Sequence, residues 1–325
     1  MRLDRLVLLV GIGLASAANG QSLSVSAVGD LPLGNVTSAS LGTTIFSISA
    51  SSGLVARTGG GSRLGAGSAR SLVTIACGSD ALCATSDVAV TISAVGSSTG
   101  RAGALGNFTI SPLTAQVNTG PSGTDTVTFT VAPIGTNGTK TFYVGADFPI
   151  LGDDSAAATG NATTSFQVSA QFTPSGTPTA QIGVGTAIVF RPIALSSTAD
   201  LVFGAVSCPR TGTGSVTIDA STGERTLTGD GVIGIGSSPH RATYTVSGEG
   251  GQTFSVSVPA SFTMSGPGDT ITVTLTTTTS GSQTLDGSLG SAGNASFAVG
   301  GNFSLPSTKA GGNYSGTFVV SVAYQ

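Results

Sequence analysis

Cys77 and Cys83 stand six positions apart in a chain that has three cysteines. Thiols this close in sequence can close a small loop across a hairpin in an oxidising compartment, which favours their pairing over a bridge to Cys208 or none at all. Other reactive side chains are scarce. The single histidine, His240, lies in Ser237-Ser-Pro-His-Arg241 beside turn residues, with no acid or nucleophile near it in sequence. It reads as a solvated loop residue rather than a general base, and with no neighbouring cysteine it makes no zinc motif. Asp153-Asp154 offers two carboxylates to a calcium ion, but in a Gly, Ser and Ala loop the pair reads as solvated. Gly229-Asp-Gly-Val-Ile-Gly234 spells a dinucleotide-binding loop, yet the following Ile235-Gly-Ser-Ser-Pro-His240 cannot begin the helix that would face a pyrophosphate. Asn107-Phe-Thr109 and Asn294-Ala-Ser296 are chance acceptor triplets in a chain rich in Ser and Thr. The sequence therefore reads as a non-enzyme, with no catalytic residue, cofactor or metal site assigned.

Charged residues make up 8% of the 325 residues and the net charge is −3, which leaves no basic field for nucleic acid or an anionic membrane. Forty-nine glycines, abundant Ser, Thr, Val and Ala, and no Trp favour strands and tight turns over helices. With so few charges, a mean hydropathy of +0.34 predicts a surface partly covered in an assembly. Arg2 and Arg5 precede an apolar run from Leu6 to Ala15, and Ala15-Ser-Ala17 supplies small residues for a signal peptidase. Residues 1–20 are thus expected to be a secretory signal, cleaved between Ala17 and Gln21, and no second run is long enough to span a bilayer.

The elements that would carry any function are written twice. Asn161-Ala-Thr-Thr-Ser-Phe-Gln-Val-Ser-Ala-Gln-Phe172 returns as Asn313-Tyr-Ser-Gly-Thr-Phe-Val-Val-Ser-Val-Ala-Tyr324, with apolar residues at alternate positions, the period of a half-buried strand. Leu31-Pro-Leu-Gly-Asn-Val36 matches Leu201-Val-Phe-Gly-Ala-Val206, and Ile48-Ser-Ala-Ser-Ser-Gly53 matches Ile218-Asp-Ala-Ser-Thr-Gly223, both at a shift of 170. Phe142-Tyr-Val-Gly-Ala-Asp-Phe148 matches Phe297-Ala-Val-Gly-Gly-Asn-Phe303. A repeat this long is a domain. Seven alternating runs per copy, divided by Gly and Pro turns, predict an all-β chain of two tandem antiparallel β-sandwiches. Ile188 to Leu195 reads as the opening strand of the second. Two prolines in Thr173-Pro-Ser-Gly-Thr-Pro178 place a linker at 173–180, between a first domain at 21–172 and a second at 181–325.

Ala187-Ile-Val-Phe-Arg-Pro-Ile-Ala-Leu195, Ala199-Asp-Leu-Val-Phe-Gly204, Gly214-Ser-Val-Thr-Ile218 and the ending Gly311 to Tyr324 resemble the bacterial domain of unknown function 4402 family, over most of 179–325. That resemblance implies an exported β-sandwich without assigned catalysis, and the first half shares it through the internal repeat. The ending is also similar to the last strand of pilins assembled by a chaperone and usher, with Gly312 fourteenth from the end and Tyr324 next to last. Phe318, Val320, Val322 and Tyr324 would then offer alternate apolar side chains to a chaperone or a neighbouring subunit; an ordinary edge strand carries the same pattern. Leu23, Val25 and Ala27 alternate near the expected mature N-terminus. They either insert into a neighbour's groove or form the first strand of the first domain.

The functional expectation is an exported structural subunit of a bacterial surface fibre, reaching the surface through the periplasm. Its partners would be copies of itself or other fibre subunits, with a periplasmic chaperone and usher. The alternative is an adhesin that recognises glycan or host surface through loops near Ser79 to Ala84 and Asp153 to Gly160.

Overall fold

The computed structural model describes residues 22–236, 238–279 and 281–325, so the expected signal peptide lies outside the described residues. The first unit opens with β1 (Leu23–Val28), β2 (Leu31–Thr37), β3 (Thr44–Ile48), β4 (Val55–Thr58), β5 (Ser62–Arg63) and β6 (Ser71–Cys77). A four-residue helix, α1 (Leu82–Thr85), precedes β7 (Val88–Val95), β8 (Gly106–Pro112), β9 (Val117–Ser122) and β10 (Thr126–Val131). Three long or central strands follow: β11 (Thr139–Ile150), β12 (Gly160–Phe172) and β13 (Thr179–Phe190). The second unit runs β14 (Ala194–Ala199), β15 (Ala205–Val206), β16 (Thr213–Ile218), β17 (Arg225–Thr228), β18 (Gly234–Ile235) and β19 (Ala242–Glu249). It ends with β20 (Thr253–Ser257), β21 (Ser261–Gly266), β22 (Asp269–Thr277), β23 (Ser282–Thr284), β24 (Ala292–Pro306) and β25 (Ser321–Tyr324).

The chain is all-β and each unit is a sandwich. One sheet of the first unit has the order β1-β6-β11-β3-β4, and its counterpart in the second is β14-β19-β24-β16-β17. The same connectivity is what a duplicated sequence dictates. Close approaches repeat as well. A Cβ on Gly145 would lie 2.1 Å from the Ile48 carbonyl oxygen, and one on Gly300 would lie 2.3 Å from that of Ile218, so both repeats need glycine where a turn crosses the central strand. Arg70 donates to the Ala50 carbonyl at 3.1 Å, as Arg241 does to Ala220 at 2.7 Å.

The described ladders are antiparallel with one exception: β13 runs parallel to β2 while antiparallel to β12. This pairing corrects the expected domain division. Residues 173–180 are not an interdomain linker but the turn of a hairpin, since Thr179 pairs with Ala170 and the ladder continues to Val189 opposite Gly160. Residues 181–190 therefore belong to the first unit's sheet, β5-β2-β13-β12-β7-β10-β9. The run from Ile188 to Leu195 is likewise two strands. Arg191-Pro192-Ile193 breaks it because Pro192 has no N–H for a ladder, and β14 starts a different sheet.

The first core is closed by both faces: Leu31 and Leu33 from β2, Phe166 and Val168 from β12, and Phe46, Phe142 and Phe148 from the opposite sheet are all fully buried. Phe129 meets Phe142 edge-on at 5.3 Å. A disulfide joins Cys77 to Cys83 with Cα atoms 5.8 Å apart, tying the end of β6 to α1, while Cys208 is a free thiol.

Candidate functional site: an open groove between two strand edges

Six strands of the first unit stand side by side as β5-β2-β13-β12-β7-β10. The corresponding strands of the second unit form two separate pieces, β15-β18 and β23-β20-β25. Val206 pairs with Gly234 as Val36 pairs with Arg63, and β25 pairs with β20 as β12 pairs with β7. Laid against the first unit, the pieces read β18-β15, a gap, then β25-β20-β23. The position of β13 has no described occupant.

That gap is a cavity of about 780 Å³ between residues 200–208 and 309–318, floored by Phe303 and Leu305. Its walls follow the ladder of the other repeat. In the first unit Gly185 pairs with Thr164 and Leu31, Ala187 with Ala162 and Gly34, and Val189 with Gly160 and Val36. The repeat carries these flanking residues to Gly316 and Leu201, Tyr314 and Gly204, and Gly312 and Val206, and all six line the cavity.

Exposure follows the same logic. In β12 the inward residues Ala162, Phe166, Val168 and Ala170 are almost wholly buried. Their counterparts Tyr314, Phe318, Val320 and Val322 are only half-buried, and Val319 is 82% exposed. Paired backbone is correspondingly short: β12 spans 13 residues and β25 four, and Thr317 and Phe318, which precede β25, line the gap. Gly312 takes φ +150, and a Cβ there would lie 2.4 Å from Pro267, so a glycine is required at the groove's end. Lys309 at the rim is held by Asp269 at 2.9 Å, a bond that first among several causes lowers the Asp269 pKa. The Cys208 thiol lines the groove and lies 3.7 Å from the Lys309 carbonyl.

Leu23, Val25 and Ala27 do not belong to this groove. They lie in β1, which pairs with β6 as β14 pairs with β19, so β1 is the ordinary first strand of its sandwich. Leu23 and Val25 are buried, but a bulge between Val25 and Ala27 breaks the alternation and leaves Ala27 exposed. Val322 and Tyr324 lie in β25 and Phe318 and Val320 in the residues before it; all four pack partly buried against the second core, and of them Phe318 lines the gap.

Tyr324 has a second task. Its hydroxyl accepts from the Glu249 N–H at 2.7 Å and donates to the Arg191 carbonyl at 3.0 Å, and its ring packs 5.7 Å from Phe190. Burial pushes its pKa up. The Glu249 carboxylate is fully buried and accepts from Thr159 Oγ1 at 3.1 Å, Gly290 N at 2.5 Å and Arg191 N at 3.1 Å. Arg191 reaches Asp153 at 3.4 Å, and buried Arg101 reaches the same carboxylate at 2.6 Å. This polar junction fastens the two sandwiches together. Asp153 is thus engaged by two arginines, and Asp154 accepts from Gly42 N at 3.0 Å. The Asp153 loop, expected as a recognition loop in the adhesin reading, is built into the junction instead. Glu249, Arg191 and Arg101 carry no sequence motif; the one available signal was their rarity in a chain so poor in charge. Among the described residues no three His, Cys, Asp or Glu side chains gather as metal ligands, and no helix is long and apolar enough to cross a membrane.

Residues 193–324 match the family model described as "Domain of unknown function (DUF4402)", which begins just past β13 and covers the unit with the open groove. No curated protein matches the chain. Among solved structures, the chain is similar to BcpA, the major pilin subunit of Bacillus cereus, at 12% identity over 57% of this chain and 54% of that one, with a TM-score of 0.24. It is also similar to a chain of a chaperone–tip adhesin complex of CFA/I fimbriae biogenesis, at 10% identity over 92% and 97% of the two chains, TM-score 0.24. A third is the 35 kDa C-terminal fragment of the major pilin GBS80 of Streptococcus agalactiae, at 10% identity over 69% and 83%, TM-score 0.23. The chain spans about half the length of BcpA.

Proposed function

We propose that this chain is an exported structural subunit of a bacterial surface fibre or pilus-like assembly, joined to a neighbouring subunit through the free strand edges of its second sandwich. The observation that carries this reading is that one sheet position is filled in the first unit by β13 and has no described occupant in the second. Two strand edges that face each other across an apolar floor are a template for strand addition, in which main-chain hydrogen bonds supply affinity and side-chain pockets supply register. An assembly chaperone would cover the same edges before incorporation. Binding here needs no reactive group, in keeping with a chain so poor in titratable side chains.

The test is electron microscopy and immunolabelling of the cell surface and of sheared material. Fibres that contain the wild-type chain, and that lose it when Leu201 and Phe318 are both changed to Asp, support the reading. A double variant incorporated as well as wild type overturns it, provided that the unfolding of the first unit is unchanged.

A further inference from the structure

The second sandwich keeps one sheet position open, and an element that the first sandwich lacks holds the segment beside it. Between β7 and β8 the first unit passes through residues 96–105 without a strand. In the same place the second unit carries the β21–β22 hairpin. β8 begins at Gly106 opposite Asp147, whereas β22 reaches the matching residue, Asn302, only at Thr274, after five residues whose described pairing is with β21 alone. Pro267-Gly268 makes the turn of this arm, with Gly268 at φ +72. Phe262 stands opposite Val273 and Met264 opposite Ile271, so one face of the arm is apolar, and Phe262, Met264 and Ile271 become part of the groove's wall.

The arm grips residues 309–318 along their length. The Ser265 N–H donates to the Ser315 carbonyl at 2.8 Å, and the Ser315 N–H returns the bond at 3.0 Å. Phe262 and Phe318 pack with ring centroids 5.1 Å apart. Lys309 Nζ meets the Asp269 carboxylate and donates to the Thr270 carbonyl, both at 2.9 Å. The approach is close enough to demand glycine: a Cβ on Gly266 would lie 2.6 Å from the Tyr314 ring, and one on Gly316 would strike the Thr263 carbonyl oxygen. An edge segment with one side unpaired stays ordered only through what its other side and its side chains hold. We propose that the β21–β22 hairpin is a built-in brace, which keeps residues 309–318 ordered and the groove open while the β13 position stands empty. This rests on the reading of the groove as the assembly site and adds how that site is kept ready. The free chain then completes its fold without a donated strand, and a chaperone over the same edges shields the groove rather than folding it.

The experiment is amide hydrogen exchange on the purified, monomeric chain with no partner present. In wild type the Ser265 and Ser315 amides should exchange at least about 100-fold more slowly than in an unstructured peptide. Ser265→Pro removes the N–H that bonds Ser315, and exchange at Ser315 and its neighbours in 309–318 should quicken about tenfold. Amides of β16, β19 and β24 should keep their wild-type rates. Lys309→Met frees Asp269 and the Thr270 carbonyl at the rim and should act in the same direction to a smaller extent, so it carries the test if the proline variant does not fold. Wild-type amides in 313–318 that exchange as in a free peptide overturn the brace. So do variants that leave Ser315 unchanged, and so does a quickening spread evenly over β16, β19 and β24, since the hairpin is then an ordinary part of the core. The fibre test fails separately: a braced chain that enters no fibre sinks the assembly role and leaves the brace standing, whereas groove-dependent fibres from a chain whose residues 309–318 are unprotected sink only the brace.

Discussion

Phe166 and Phe318 occupy the same place in the two repeats, yet one ring is fully buried and the other half-exposed. The difference lies in a neighbour, not in the residue. β13 covers Phe166 so tightly that a Cβ on Gly183 would lie 2.5 Å from the ring. Nothing among the described residues covers Phe318 in that way. One sandwich is sealed by its own chain and the other presents the same surface open, so the pair shows a groove before and after it is filled.

The comparison breaks or sharpens under substitution. Phe166→Ala should cost about 3–5 kcal/mol of stability in the first unit, by loss of transfer energy and a cavity. Phe318→Ala, at a partly buried ring, should cost less than half as much, read from denaturant unfolding. Equal costs in the free chain would mean that the second groove is already sealed. Glu249→Ala leaves the Thr159, Gly290 and Arg191 donors without their acceptor and should cost about 3 kcal/mol, uncoupling the unfolding of the two units in calorimetry. Gly183→Val should destabilise the first unit by about 1–3 kcal/mol through overpacking against Phe166 and Val28, leaving the second untouched.

The smallest effect compares one turn in its two copies. Ser49 accepts from Ser52 N in the first unit, whereas Asp219 accepts from the N–H groups of Ser221 and Thr222 in the second. Bonds led by the Ser221 hydroxyl lower the Asp219 pKa from 3.8 to about 2. A depressed folded pKa means that the turn's extra stability is complete above pH 3.8 and fades as pH falls toward 2. Amide exchange at Ser221 and Thr222 should accelerate across that window, with no counterpart at Ser52.

Periodicity and repetition made much of this fold legible. Alternation in residues 161–172 located β12, and the matched segments, two of them at a shift of 170, implied two like domains. Short strands such as β5 and β18 carry too few residues to show a period. The hairpin at 173–180 was hidden because Pro174 and Pro178 signal a break in pairing equally well when the chain turns back and when it leaves the domain. β13 was hidden for a related reason: its inward positions are Gly183, Gly185 and Ala187, chosen for close packing rather than hydrophobicity, so the alternation that marks other strands is muted.

What the sequence by itself determined is local and periodic: strands, turns, the duplication, the poverty of reactive groups, and the apolar face of the last strand. Only the tertiary structure decided which unit owns residues 179–190, and hence which groove is full and which is open. Strand pairing across more than 140 residues, as between Val36 and Val189, depends on which edge is unoccupied when the chain returns, and no window of sequence contains that edge.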